Sequence, residues 1–414
     1  MSVHVFNKNV KVLRNRGLSF AVSSSSHYST ESSDPHVLKK PVLSQLKKGT
    51  GGRSSFNGVV ATVFGASGFL GGYLVNKLGI CGTQLVIPYR GDAYFVKDLK
   101  LTGDLGQVNF QPFHLQDDES IRKAVKYSNV VINLIGRDWE TKNFKFNDVH
   151  VEGARRIARI SREMGVERLI HLSALNIDPL PAPIYLSKGS GFLASKQLGE
   201  KLVLDEFPDA TIFRPSDIYG QGDRFLMMYT HAWRRSLQQM VLWKKGEQTV
   251  KQPVAVSDVA TAIKNAVLDR STAGKTYQAV GPTPYLLADL VDWMYAICRR
   301  TKEFEYDFKR TGFLGNPQHL VKMWLTDKIC PSWPPGFVTA ERFEREFVND
   351  FVDERLPTLE DLGVVLTKTE KQIPYDLKFL KAFQYYIDTI GEIENPLPPP
   401  PYVPPPKSNF LHTN

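Results

Sequence analysis

The chain has 414 residues, a length that accommodates two or three domains or one elaborated α/β domain. Hydrophobic residues make up 42% and charged residues 23%, which excludes wholesale disorder, and no apolar run reaches the roughly 18 residues that a transmembrane helix needs. The net charge is +9, but residues 1–55 hold nine Lys/Arg against two Asp/Glu; that balance of +7 leaves +2 for the other 359 residues and argues against nucleic-acid binding.

Residues 1–30 contain no acidic side chain, while Lys8, Lys11, Arg14 and Arg16 alternate with apolar residues and Ser23–Ser26 follow. That composition predicts a mitochondrial transit peptide; a disordered basic tail shares it. Residues 31–55 are polar and glycine-rich and read as a surface arm. From Asn57 the character changes. Val59-Val60-Ala61-Thr62-Val63-Phe64 predicts a buried strand, and Gly65-Ala66-Ser67-Gly68-Phe69-Leu70-Gly71 a tight turn. Leu70, Leu74, Val75 and Leu78 then recur at helical spacing. Strand, glycine turn and helix form the setting of a dinucleotide fingerprint, in which the phosphates lie on a helix N-terminus. A glycine turn without a ligand is the plainer reading.

The second strand, residues 84–90, ends in Tyr89-Arg90 about 20 residues past the glycines, where NAD-binding sites place an acid. A guanidinium there suits a 2′-phosphate, so NADPH is the expected cofactor; Asp92, in the following turn, is the counter-candidate. Further strands are expected at 108–113, 129–136 and 168–173, with helices at 119–126 and 149–164 between them. This alternation predicts a doubly wound, mainly parallel Rossmann sheet. Ligands on such sheets lie at strand carboxyl ends, which brings His114, Leu115, Leu134, Ile135, Gly136 and Ser173 toward the cofactor. Leu134 and Ile135 also read as ordinary core.

Beyond residue 285 comes a smaller mixed region rich in aromatics, among them Trp293, Trp324 and Trp333. Core packing is the default for each; any that are exposed mark a protein or membrane-surface contact. Residues 396–414 begin with a proline run that predicts a polyproline strap. The expected division is therefore 1–30 leader, 31–55 arm, 56–284 nucleotide domain, 285–395 docking region and 396–414 tail. Cys81, Cys298 and Cys330 are too far apart in sequence for a zinc cluster or a Cys-x-x-Cys pair, which fits a reducing compartment.

Gly65-x-x-Gly68-x-x-Gly71, Ser195-Lys196-x-x-Gly199-Glu200, Arg214-Pro215-Ser216-Asp217 and residues 253–260 together resemble the extended, atypical branch of the short-chain dehydrogenase/reductases. Residues 133–144 and 246–256 more closely resemble the NADPH-binding accessory subunits of mitochondrial respiratory complex I. The resemblance runs from about residue 51 to about residue 284. It adds Lys196 and Pro215 to the cofactor-contacting set of Gly65, Ser67, Gly68, Phe69, Leu70, Gly71, Tyr89 and Arg90. It also implies other complex I subunits as partners, at the junction of the matrix and membrane arms, and a peripheral, matrix-side place on the inner membrane. The superfamily's Tyr-x-x-x-Lys pair is broken: Lys196 is kept, but Phe192 stands where the proton-donating tyrosine belongs. A non-catalytic subunit is therefore expected, with an active NADP-dependent reductase or sugar-nucleotide epimerase as the alternative.

Overall fold

The computed structural model describes residues 46–177, 181, 183–236, 238–312, 316–382 and 395–404; the leader expected at 1–30 lies outside them, as do parts of the arm and tail. The apolar run after Asn57 forms β1 (Val60–Phe64) and leads through the glycine turn into α1 (Phe69–Ile80). There follow β2 (Gln84–Tyr89), β3 (Val108–Pro112), α2 (Asp118–Val125), β4 (Val130–Asn133), α3 (Gly153–Glu163), β5 (Arg168–Leu172), α4 (Gly191–Glu206) and β6 (Thr211–Pro215). The fourth strand stops at Asn133 rather than Gly136 because the Asn133 side chain accepts from the Ile135 amide at 3.1 Å and turns the chain.

The chain continues as β7 (Ile218–Tyr219), α5 (Phe225–Thr230), β8 (Arg235–Ser236), β9 (Gln239–Leu242), β10 (Val250–Lys251) and β11 (Val254–Ala255). Next come α6 (Val256–Leu268), β12 (Thr276–Ala279), β13 (Tyr285–Leu286), α7 (Leu287–Ile297), β14 (Lys309–Gly312), α8 (Pro317–Ile329), α9 (Ala340–Glu346) and α10 (Thr369–Asp376).

Seven strands form the main sheet in the order β12-β6-β5-β4-β1-β2-β3, parallel throughout. The order reverses between β1 and β4, and ligands of open parallel sheets bind in the crevice at such a switch. Both faces are covered, and the central strands β1 and β4 are accordingly buried along almost their whole length. On one face Val63, Leu74, Leu78 and Ile263 pack from β1, α1 and α6; on the other Val131, Ile157, Val203 and Ile212 pack from β4, α3, α4 and β6.

A further core joins Tyr219, Phe225 and Met240 to Tyr285, Trp293 and Tyr295, so it takes residues from both sides of position 284. Leu359, Leu362 and Val364 return to the sheet's own core, where the Gln278 amide donates to Pro357 O at 2.9 Å. The described part of the proline run lies on the same body. Trp293 Nε1 donates to Pro396 O at 3.2 Å, and the Tyr402 amide donates to Pro284 O at 2.8 Å. Trp324 and Trp333 are 61% and 77% exposed, unlike Trp293.

Candidate functional site

The carboxyl ends of β1, β4, β5 and β6 form the floor of a cleft of about 270 Å³, roofed by residues from α9 and its flanks. Of the sequence-derived set, Gly65, Gly68, Phe69, Leu70, Gly71, Leu134, Gly136, Ser173, Lys196 and Pro215 line it. Ser67, Tyr89, Arg90, His114, Leu115 and Ile135 do not. Ser67 and His114 are exposed, Tyr89 packs edge-on to Phe110, and Leu115 and Ile135 turn into the core beside α3.

Two glycines are fixed by geometry. Gly65 has φ +81°, and a Cβ there would lie 3.0 Å from Leu134 C; a Cβ on Gly71 would lie 2.5 Å from the carbonyl oxygens of Gly65 and Ala66. The turn therefore brings α1 hard against the end of β1. The N-terminus of α1 has no side-chain cap and no acidic residue in its first turn, whereas Asp117 caps α2 and Ser190 caps α4. The positive end of its dipole opens on the cleft without an anion of its own, the arrangement that receives phosphate.

Deeper in, Lys196 is buried and donates to Leu172 O at 2.9 Å; burial pulls its pKa down to about 8, against the pull of Glu200. His150 Nε2 accepts from the Arg137 amide at 3.2 Å, so its Nδ1 carries the proton toward Ser195 Oγ, 2.9 Å away. Burial, then Lys196 and His171, hold His150 well below the usual imidazole range, which makes it a neutral structural group. Phe192 lies one turn before Lys196 on α4, edge-on to His150 at 5.1 Å, with the Arg345 guanidinium 4.3 Å from its ring centroid. The Ser173 hydroxyl is buried with no hydrogen-bond partner among the described residues, yet it lines the cleft. Glycine turn, uncapped helix, buried lysine and orphaned hydroxyl fit a dinucleotide.

Sequence reasoning did not find the cations of the roof. Arg342 pairs with Asp217 at 3.1 Å, Arg345 with Asp138 at 3.6 Å, and Lys251 sits 3.7 Å from both Asp217 and Asp350; Arg224 also pairs with Asp138. Burial pushes Asp217 up, but Arg342 and Lys251 outweigh it and leave the carboxyl below its usual value. α9 is fastened by two carboxylates. Glu341 accepts from Ser190 Oγ and from the Gly191 and Phe192 amides at 2.5, 3.2 and 2.9 Å. Glu344 accepts from the amides of Ile184, Tyr185 and Leu186 at 2.6, 2.7 and 2.9 Å. Arg137, Asp138 and Lys251 fall in stretches already notable in the sequence, but nothing local marks Arg342 or Arg345.

Strand order, glycine turn and cleft define a Rossmann-type dinucleotide fold of the extended short-chain dehydrogenase kind. Residues 61–280 match the NAD dependent epimerase/dehydratase family. The solved structure of DesIV, a dTDP-glucose 4,6-dehydratase from Streptomyces venezuelae with NAD and TYD bound, shares the fold with a TM-score of 0.57 at 13% identity, over 77% of this chain and 96% of that one. Closer likenesses are in sequence. The NADH dehydrogenase [ubiquinone] 1 alpha subcomplex subunit 9 of Mus musculus is 44% identical over 85% of this chain and 88% of that protein. Its counterpart in Arabidopsis thaliana is 42% identical over 84% of each. The chain belongs to the NAD dependent epimerase/dehydratase family and, within it, to the mitochondrial alpha subcomplex subunit 9 proteins.

Proposed function

We propose that the chain is a non-catalytic accessory subunit of mitochondrial respiratory complex I that retains NADPH as part of its fold and supports assembly of the matrix arm. The observation that carries this reading is Phe192. Bound NADP(H) would supply a hydride, but reduction of a carbonyl also needs a proton donor beside the substrate oxygen. At position 192 the ring has no hydroxyl, and Arg345 covers its face. Lys196 and Ser173 remain in the cleft, where they would hold the ribose and the nicotinamide end.

In this reading residues 1–30 direct import, residues 56–284 hold the nucleotide, and residues 285–395 with the 396–414 tail dock on other subunits at the junction of matrix and membrane arms. No described helix is long and apolar enough to cross a membrane, in keeping with a peripheral, matrix-side place. Trp324 and Trp333 supply exposed aromatic surface for the docking.

The alternative, an active reductase or epimerase, is favoured only by the retained Lys196 and Ser173. Purified protein should release NADPH on denaturation and show no turnover with carbonyl or sugar-nucleotide substrates. Cells lacking it should assemble less complex I. Robust hydride transfer to a carbonyl, or normal complex I in its absence, would overturn the reading.

A further inference from the structure

Residues 133–144 carried the closer resemblance in the sequence, and nothing in the site described above uses their aromatic side chains. In the structure they carry aromatic posts for arginines. After β4 the chain crosses the carboxyl edge of the sheet, and the Phe144 ring comes back to the ends of β2 and β3. The Arg90 guanidinium lies 5.2 Å from its centroid, and the His114 ring lies 6.0 Å from it. Trp139 does the same for Arg137, whose guanidinium is 4.7 Å from the indole.

Both posts are held firmly. Trp139 is 7% exposed, donates through Nε1 to Ser332 O at 3.3 Å and stacks at a tilt on Phe337 at 5.8 Å. Phe144 closes a turn with Thr141: its amide donates to Thr141 Oγ1 at 3.1 Å, and the Thr141 amide donates to Phe144 O at 3.0 Å. The one carboxylate close by in sequence, Asp92, is occupied by the Tyr94 amide at 2.9 Å.

Arg90 has no ion pair among the described residues, so its charge on the Phe144 face is not neutralised within the chain. Arg137 shares its indole with Arg224, also 4.7 Å from the Trp139 ring, which ties it to the roof.

We infer that Phe144 is a positioning residue that presents Arg90 to the 2′-phosphate of NADP(H). The inference deepens the NADPH reading and rests on it. A cation–π contact at a half-exposed position is worth about two- to fivefold in affinity, and a charge-assisted phosphate contact about tenfold or more.

Binding of NADPH and of NADH to the nucleotide-free full chain, followed by nicotinamide fluorescence, tests it. Arg90→Ala should weaken NADPH about tenfold or more and leave NADH unchanged. Phe144→Ala and Phe144→Leu should weaken NADPH two- to fivefold, with NADH unchanged. Phe144→Tyr should restore the wild-type value, and Phe144→Ala should have no further effect once Arg90 is Ala. Thermal melting of each nucleotide-free variant checks the fold. Equal wild-type affinity for the two nucleotides would overturn the NADPH reading and this inference with it. A preference that Arg90→Ala abolishes but the Phe144 variants leave intact would overturn the positioning role alone.

Discussion

The site has two cationic ends, and they are held in different ways. Beside the cleft, at the end of β2, Arg90 lies on the Phe144 face and has no ion pair among the described residues. At the roof, Arg224, Arg342, Arg345 and Lys251 are each matched to Asp138, Asp217 or Asp350. A buried cation with a carboxylate beside it has its charge neutralised within the chain, and its removal leaves that carboxylate stranded. Arg224 and Arg345 also lie over aromatic rings, Trp139 and Phe192, so the carboxylate and not the ring makes the difference. The comparison separates cations that hold the lobes together from one whose charge no carboxylate of the chain takes up.

The largest expected effect lies between the two ends, at the helix that would take the pyrophosphate. A side chain at Gly68 would meet the chain itself only at Gly65 O, 3.2 Å away, so the fold tolerates one far better than a bound dinucleotide does. Gly68→Val should leave the protein folded and nucleotide retention undetectable after gel filtration. Retention at the wild-type level would remove the helix N-terminus from the site.

The next effect breaks the paired end. Arg342→Ala should cost about 3 kcal/mol in urea melts of the nucleotide-free protein, near the lower end for a broken buried pair. The moderation comes from Lys251, which remains 3.7 Å from Asp217. The preference for NADPH over NADH should survive; its loss without a change in stability would make Arg342 a ligand residue and erase the distinction drawn above.

The smallest effect sharpens the comparison through pH. Asp223 has no ion pair among the described residues. Burial raises its pKa to about 7, against hydrogen bonds from the Leu226, Gly220 and Met227 backbone. The folded state thus holds this proton more tightly than the unfolded chain. The stabilisation is full below about pH 4 and is lost as the pH rises through about 7. Asp223→Asn should flatten that part of the stability profile. An unchanged slope would assign it to another carboxylate.

The reach of sequence reasoning followed the same divide. Strands β1 to β5 were legible as short apolar runs, but β6 and β12 were not, because their residues mix polar and apolar types; the glycine turn was legible because left-handed backbone and close helix approach admit little else. The helix expected at 119–126 was also legible, and its start is fixed locally: the Asp117 side chain accepts from the Glu119 amide at 3.1 Å. Arg90 could be placed by counting from the glycines, but Phe144 beneath it could not, because 54 residues separate them.

By itself, then, the chain's order of residues determined the Rossmann sheet, the glycine turn and the hydroxyl-free side chain of Phe192, since each depends on backbone geometry or side-chain identity within a short segment. Only the tertiary structure decided which cations are neutralised and which are not. Asp217 meets Arg342 and Glu344 meets the amides of residues 184–186 across more than a hundred residues of sequence. Such pairings arise from how two packed cores seat α9 on α4, and charge pairing at that range leaves no local pattern to read.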